Sequence, residues 1–237
     1  AAKVLANSTT PVILAGGGVI SGNASAELIR IAETLGAPVL TTVSGKGAMP
    51  ESHPLSVGCR WRGDTQLDSF LEQADVALVL GSQLSARHTD NWTLSMPKTL
   101  IQVDIHSSNL GRHYPTVRGI HAHVRPALSI LDELIQAYSI TDLEIVYERV
   151  ETARKAVVDC ADKQHLDILS AIRNALPDDG MLFNDMTTVC YSGPTLFPVD
   201  LPRTFFCPNY VGTLGFSFPA ALGAKIAEPG KSVVSLI

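Results

Sequence analysis

Apolar residues along this chain fall in short unbroken runs, separated by stretches whose apolar positions have helical spacing. Residues 11–15 (Pro-Val-Ile-Leu-Ala) form the first run, which ends in Gly16-Gly17-Gly18. A run without alternation reads as a strand buried on both faces, and the glycines as a turn. Leu28, Ile31, Ala32 and Leu35 then fall at i, i+3, i+4 and i+7. Ser21 or Asn23 is placed to cap that helix and Gly36 to end it. Residues 38–42, 76–80 and 100–104 repeat the strand pattern, and 117–120 repeats it weakly. Residues 67–73 and 125–137 read as helices. This alternation predicts an α/β fold with a Rossmann-like, doubly wound parallel sheet over residues 1–138.

Residues 139–162 are polar and helix-prone without a clean apolar stripe, and read as a linker. A second α/β unit follows over residues 163–237. Leu169, Ile172 and Leu176 line a helix that Pro177 ends. Residues 181–183 and 205–206 are short strands, and 219–227 a helix with Pro219 in its first turn. Residues 232–237 (Ser-Val-Val-Ser-Leu-Ile) have the character of a buried parallel strand with no unit closed after it. The expectation is a piece of a larger soluble α/β enzyme whose second domain is truncated.

Composition narrows the field. The 237 residues carry a net charge of −5, which gives no electrostatic reason to expect nucleic acid or an anionic membrane. No apolar run approaches the roughly 20 residues that span a bilayer. Cys59, Cys160, Cys190 and Cys207 are widely spaced without a Cys-x-x-Cys pair, the pattern of reduced thiols in a cytoplasmic protein.

Three stretches carry candidate chemistry. Gly16–Gly18 lies between a strand and a helix, but Ser21 breaks the Gly-x-Gly-x-x-Gly spacing. Thr41 and Thr42 stand where a ribose-binding acid belongs. A plain tight turn and a nucleotide-facing loop both satisfy it. His121-x-His123 has metal-pair spacing without a third ligand, and reads as surface histidines. The stretch Phe206 to Lys225 contains Gly212-Thr213-Leu214-Gly215 running into a helix whose first turns are Ala and Gly. Small residues there let a backbone or a planar ligand approach closely.

That last stretch resembles the pyrophosphate-domain motif of thiamine-diphosphate-dependent 2-oxoacid enzymes, the group of acetolactate synthase, benzoylformate decarboxylase and pyruvate decarboxylase. The pattern Gly-x-(Met/Leu)-Gly-x-x-x-Pro-Ala-Ala-x-Gly-Ala is present from Gly212 onward. Residues 11–18, Ala74-Asp75, Gly81 and Val103-Asp104-Ile105 are similar to the central domain of that family. The resemblance implies an acetolactate synthase-like decarboxylase or carboligase acting on a small-molecule 2-oxoacid. It implies thiamine diphosphate and Mg²⁺ in the full-length protein, assembled as a homodimer or homotetramer.

By position, Leu214 would wedge beneath the bent cofactor, the Gly212 carbonyl would accept from its aminopyrimidine, and Thr213 would line the same turn. Thr187 and Thr188 would reach the diphosphate. His88, beyond the third strand, would be the catalytic proton shuttle of a benzoylformate decarboxylase-like branch. The Arg/Asp-rich loop that helps hold FAD is absent, so FAD is not expected. The Mg²⁺ ligands would begin directly after Ile237 and the activating glutamate would precede Ala1. The chain alone is therefore expected to hold no metal and to be inert. The alternative from another class is a non-catalytic nucleotide-binding module using Gly16 to Gly18. A third is an inactive homologue serving as an oligomer scaffold.

Overall fold

A computed structural model describes residues 1–61, 65–135 and 143–237. The first unit begins with α1 (Ala2–Ala6), β1 (Pro11–Ala15), α2 (Gly17–Ser21), α3 (Ser25–Leu35), β2 (Val39–Thr41) and β3 (Ser56–Cys59). It continues with α4 (Thr65–Glu72), β4 (Val76–Leu80), β5 (Thr99–Asp104), β6 (Arg118–His121) and α5 (Val124–Ile135). α6 (Leu143–Asp159) leads to the second unit: α7 (Lys163–Ala175), β7 (Met181–Asn184), α8 (Thr188–Leu196), β8 (Phe205–Phe206), α9 (Ser217–Ala227) and β9 (Val233–Leu236).

Every strand pairing is parallel. The first sheet runs β3-β2-β1-β4-β5-β6 and the second β8-β7-β9. β1 and β4 are buried at every position, as their unbroken apolar runs require. α3 and α5 cover one face through Leu28, Ile31, Leu128 and Leu131. Leu67, Phe70 and Leu71 of α4 and Val150 of α6 cover the other. Ile13 and Leu78 at the centre have no solvent exposure. Each such side chain contributes about 1.5–3 kcal/mol. The doubly wound expectation is met. Its strand order reverses between β1 and β4, so a crevice opens at their carboxyl ends.

Several local expectations differ. Gly16–Gly18 is not a plain turn: Gly16 is the N-cap of the short α2. Neither Ser21 nor Asn23 caps the next helix, whose N-cap is Ala24. The glycines serve a contact between strands. A Cβ on Gly16 would lie 2.4 Å from the Gly81 carbonyl oxygen, and one on Gly18 2.5 Å from the Gly81 Cα. β3 was not predicted, because Gly58 and a register shift at Val39/Leu40 hide its pattern. α8 was not predicted either, because Gly193 and Pro194 within it read as breakers. The helix-prone stretch between the units carries α6, with Val150 buried. The last strand is half-buried at the edge of its sheet rather than enclosed. The expected boundary at residue 138 lies outside the described residues.

The two units share a core. Leu169, Leu182, Phe197 and Phe205 of the second pack with Val43 and Cys59 of the first. At this seam Lys46 Nζ donates to Glu51 Oε1 (2.5 Å), with the Lys46 side chain fully buried. Glu51 Oε2 accepts from the Val199 N–H (3.0 Å), and the Glu51 N–H donates to the Val199 carbonyl (3.0 Å).

Candidate active site at the Gly212 turn

β7 is buried throughout, and the chain leaves it at Asp185, which is 3 % exposed. One carboxylate oxygen accepts from the N–H of Met186 (2.8 Å) and of Gly215 (3.1 Å). The other accepts from the N–H (2.9 Å) and the hydroxyl (3.0 Å) of Ser217. Burial pushes this carboxyl up. The bonds from Ser217, Met186 and Gly215 outweigh it and hold the group below the usual aspartate range. Asp185 thus fastens the turn before α9 to the end of β7.

That turn bends at two left-handed glycines, Gly212 (φ +69°) and Gly215 (φ +77°). A Cβ on Gly212 would sit 3.2 Å from Arg87 Nη1 and 3.7 Å from Met186 Sδ. The left-handed conformation calls for glycine at both positions. Leu214 is 74 % exposed, so it is not a core residue, and Thr213 is exposed beside it. Thr187 directly follows Met186 and is the N-cap of α8; its hydroxyl lies 3.1 Å from Cys190 Sγ. Thr188 is the first, exposed residue of that helix. The N-terminus of a helix carries partial positive charge suited to an anion.

The loop after β4 meets this turn from the first unit. Gln83 donates to the Tyr210 hydroxyl. Arg87 places Nη2 3.9 Å from Met186 Sδ and its guanidinium 5.1 Å from the Trp61 ring centroid, and its buried Nε has no partner among the described residues. His88 lies beside Asn209, which donates to Ser44 Oγ (2.6 Å). Burial first, then the charges of Arg60 and Arg87, push the His88 imidazole down to about 4. It is therefore neutral at pH 7. Burial also pushes the neighbouring Cys207 thiol up to about 11, which removes it as a nucleophile.

The structure therefore brings Arg87 of the first unit against Gly212 and Met186, with Thr187 one residue beyond, and sets His88 beside Asn209. Arg87, Asp185 and Met186 carry no role in the sequence expectation. A signal for Asp185 was there: a lone acid at a strand's carboxyl end, facing a later glycine turn rich in free N–H groups.

A separate cavity of about 510 Å³ opens at the crevice of the first sheet, lined by Gly18, Gly81, Asp104, His106 and His123 among others. Asp104 accepts there from the His106 N–H (2.8 Å) and from Asn109 Nδ2 (3.1 Å). His121 Nε2 lies 2.9 Å from the Ile105 carbonyl. No group of three metal-ligating side chains occurs among the described residues. No helix there is long and apolar enough to cross a membrane.

Residues 1–131 match the family model for the thiamine pyrophosphate enzyme central domain, and residues 185–237 the model for the C-terminal TPP binding domain. The chain is 34 % identical to the probable acetolactate synthase large subunit of Methanocaldococcus jannaschii, over 100 % of this chain and 42 % of that protein. It is 31 % identical to the probable 2-ketoarginine decarboxylase of Pseudomonas aeruginosa, over 100 % and 42 % respectively. With the sulfoacetaldehyde acetyltransferase of Castellaniella defragrans the identity is 28 %, over 99 % and 45 %. The chain thus spans less than half the length of these relatives.

Proposed function

The chain belongs to the thiamine pyrophosphate enzymes, and we propose that the whole protein binds thiamine diphosphate and acts on a 2-oxoacid, in the manner of an acetolactate synthase. The observation that carries this reading is the Gly212 turn, a left-handed glycine bend lying against Arg87 and Met186, with Leu214 standing exposed beside it. These residues fit the cofactor. The group supplies an electron sink for loss of carbon dioxide from a 2-oxoacid.

The protein's own part is to bind and orient. The Gly212 carbonyl and Leu214 would hold the pyrimidine end in place, with Thr213 beside them. Thr187, Thr188 and the N-terminus of α8 would take the diphosphate. Mg²⁺ would complete that site through ligands outside this chain. Arg87, with donor capacity to spare, would hold the substrate carboxylate. His88, neutral at pH 7, would accept a proton from the reacting hydroxyl and return it. The setting proposed is cytoplasmic and homo-oligomeric, and FAD is not required.

Calorimetric titration of the whole protein with thiamine diphosphate and Mg²⁺ tests the reading, together with carbon dioxide release from pyruvate and benzoylformate. Saturable binding and release from one of them are expected. R87Q should raise KM for the 2-oxoacid on the order of tenfold with cofactor affinity unchanged. A protein that binds no thiamine diphosphate overturns the proposal. His88 beside the turn also favours a benzoylformate decarboxylase-like variant, and an aldehyde product without a carboligated one would select it. The nucleotide-binding alternative rests on the 510 Å³ cavity, and tight binding of ADP or FAD without any thiamine diphosphate would favour it.

A further inference from the structure

One buried side chain outside the proposed chemistry organises the loop on which that chemistry depends. Arg60 directly follows β3 and is 2 % exposed. A buried guanidinium is tolerated when its donors are met, and four bonds meet four of its five N–H donors here. Nε and Nη2 reach the Asp68 carboxylate of α4 at 2.5 and 3.1 Å. Nη2 also reaches Asp90 Oδ2 (2.6 Å), and Nη1 the His88 carbonyl (2.5 Å). One planar fork thus joins α4 to two points on the loop after β4.

The next residue extends the support. Trp61 offers its ring to the Arg87 guanidinium and packs edge-on against the His88 imidazole, with centroids 6.4 Å apart. The loop needs such an anchor, because Asp90, Asn91 and Trp92 take φ values of +48°, +57° and +63° in succession. Left-handed backbone is unfavourable for residues with a Cβ, and three in a row hold only where the surroundings fix them. The ion pair to Arg60 sits at the first of the three.

We propose that Arg60 is a positioning residue: through the His88 carbonyl and the Asp90 carboxylate it holds the Arg87–His88 pair against the Gly212 turn. The inference rests on the roles given above to Arg87 and His88, but its direct readout does not. The charged and titratable groups facing His88 are Arg60 from the end of β3, and Arg87 and Asp90 from its own loop; Asn209 is its polar neighbour from the turn segment.

The test compares R60Q and R60K with the native whole protein. The His88 ring is followed by NMR across pH, and H88N identifies its signal. Lysine keeps the charge as a point and loses the fork. If the fork positions the loop, His88 is rewetted in both variants and titrates above its native value of about 4. In parallel, kcat/KM for the 2-oxoacid falls on the order of 10- to 100-fold while thiamine diphosphate affinity is unchanged. R60K whose His88 titrates as in the native protein overturns the proposal, because charge alone would then suffice. Loss of cofactor affinity and of the cooperative melt together also overturns it, as the mark of a general structural role. Should R60Q fail to fold, R60K decides. If R87Q and H88N leave turnover intact, the functional reading fails, while the His88 titration still decides the role of Arg60.

Discussion

His88 is neutral at pH 7 because burial and two guanidinium groups oppose its protonation, and that has a price in acid. Its folded value is about 4, against an ordinary 6.5 for the unfolded chain. As pH falls the unfolded state takes up the proton first. The stability tied to His88 is full above pH 6.5 and is lost as pH falls towards 4. At pH 5 the loss is roughly 2 kcal/mol. Urea unfolding at pH 7 and pH 5 should show H88N losing less stability between the two than the native protein, by about that amount. At the same scale the sequence exposed some roles and hid others. Gly212 and Leu214 stand in a contiguous motif. Arg60 acts across a gap of 28 residues to the His88 carbonyl, and spacing along the chain carries no trace of such a bond.

Among the elements, the segment from β7 to α9 shows how one carboxylate shapes a turn. Asp185 meets four donors, and an amide in its place has one accepting oxygen and an NH₂ group that faces donors. D185N should lose about 2–3 kcal/mol of local stability. Hydrogen exchange at the Gly215 and Ser217 amides should accelerate, while β1 and β4 keep their protection. Elements of this chain were legible where one physical rule dominated. β1 and β4 are buried on both faces and show unbroken apolar runs. β3 has only Ser-Val-Gly-Cys, and tertiary pairing with β2 makes it a strand. α8 contains Gly193, where a Cβ would lie only 2.5 Å from the buried Asn184 Oδ1. A residue that looks like a helix breaker is there a packing requirement, visible only once β7 is in place.

Across the whole molecule, a buried ion pair within the first unit meets the second through the bonds of Glu51 to Val199, beside a shared core. K46M would leave the Glu51 charge uncompensated, which costs about 3–5 kcal/mol. K46M/E51Q should recover most of that loss, because glutamine still accepts from Val199 without the charge; urea midpoints of the three proteins check this. At the carboxyl ends of β1 and β4, Gly16, Gly18 and Gly81 pack backbone against backbone with no gap for a side chain. The three positions therefore stand or fall together, since a Cβ on any one of them would strike the backbone of another. A library randomising all three, sorted for folded protein, should return glycine at each.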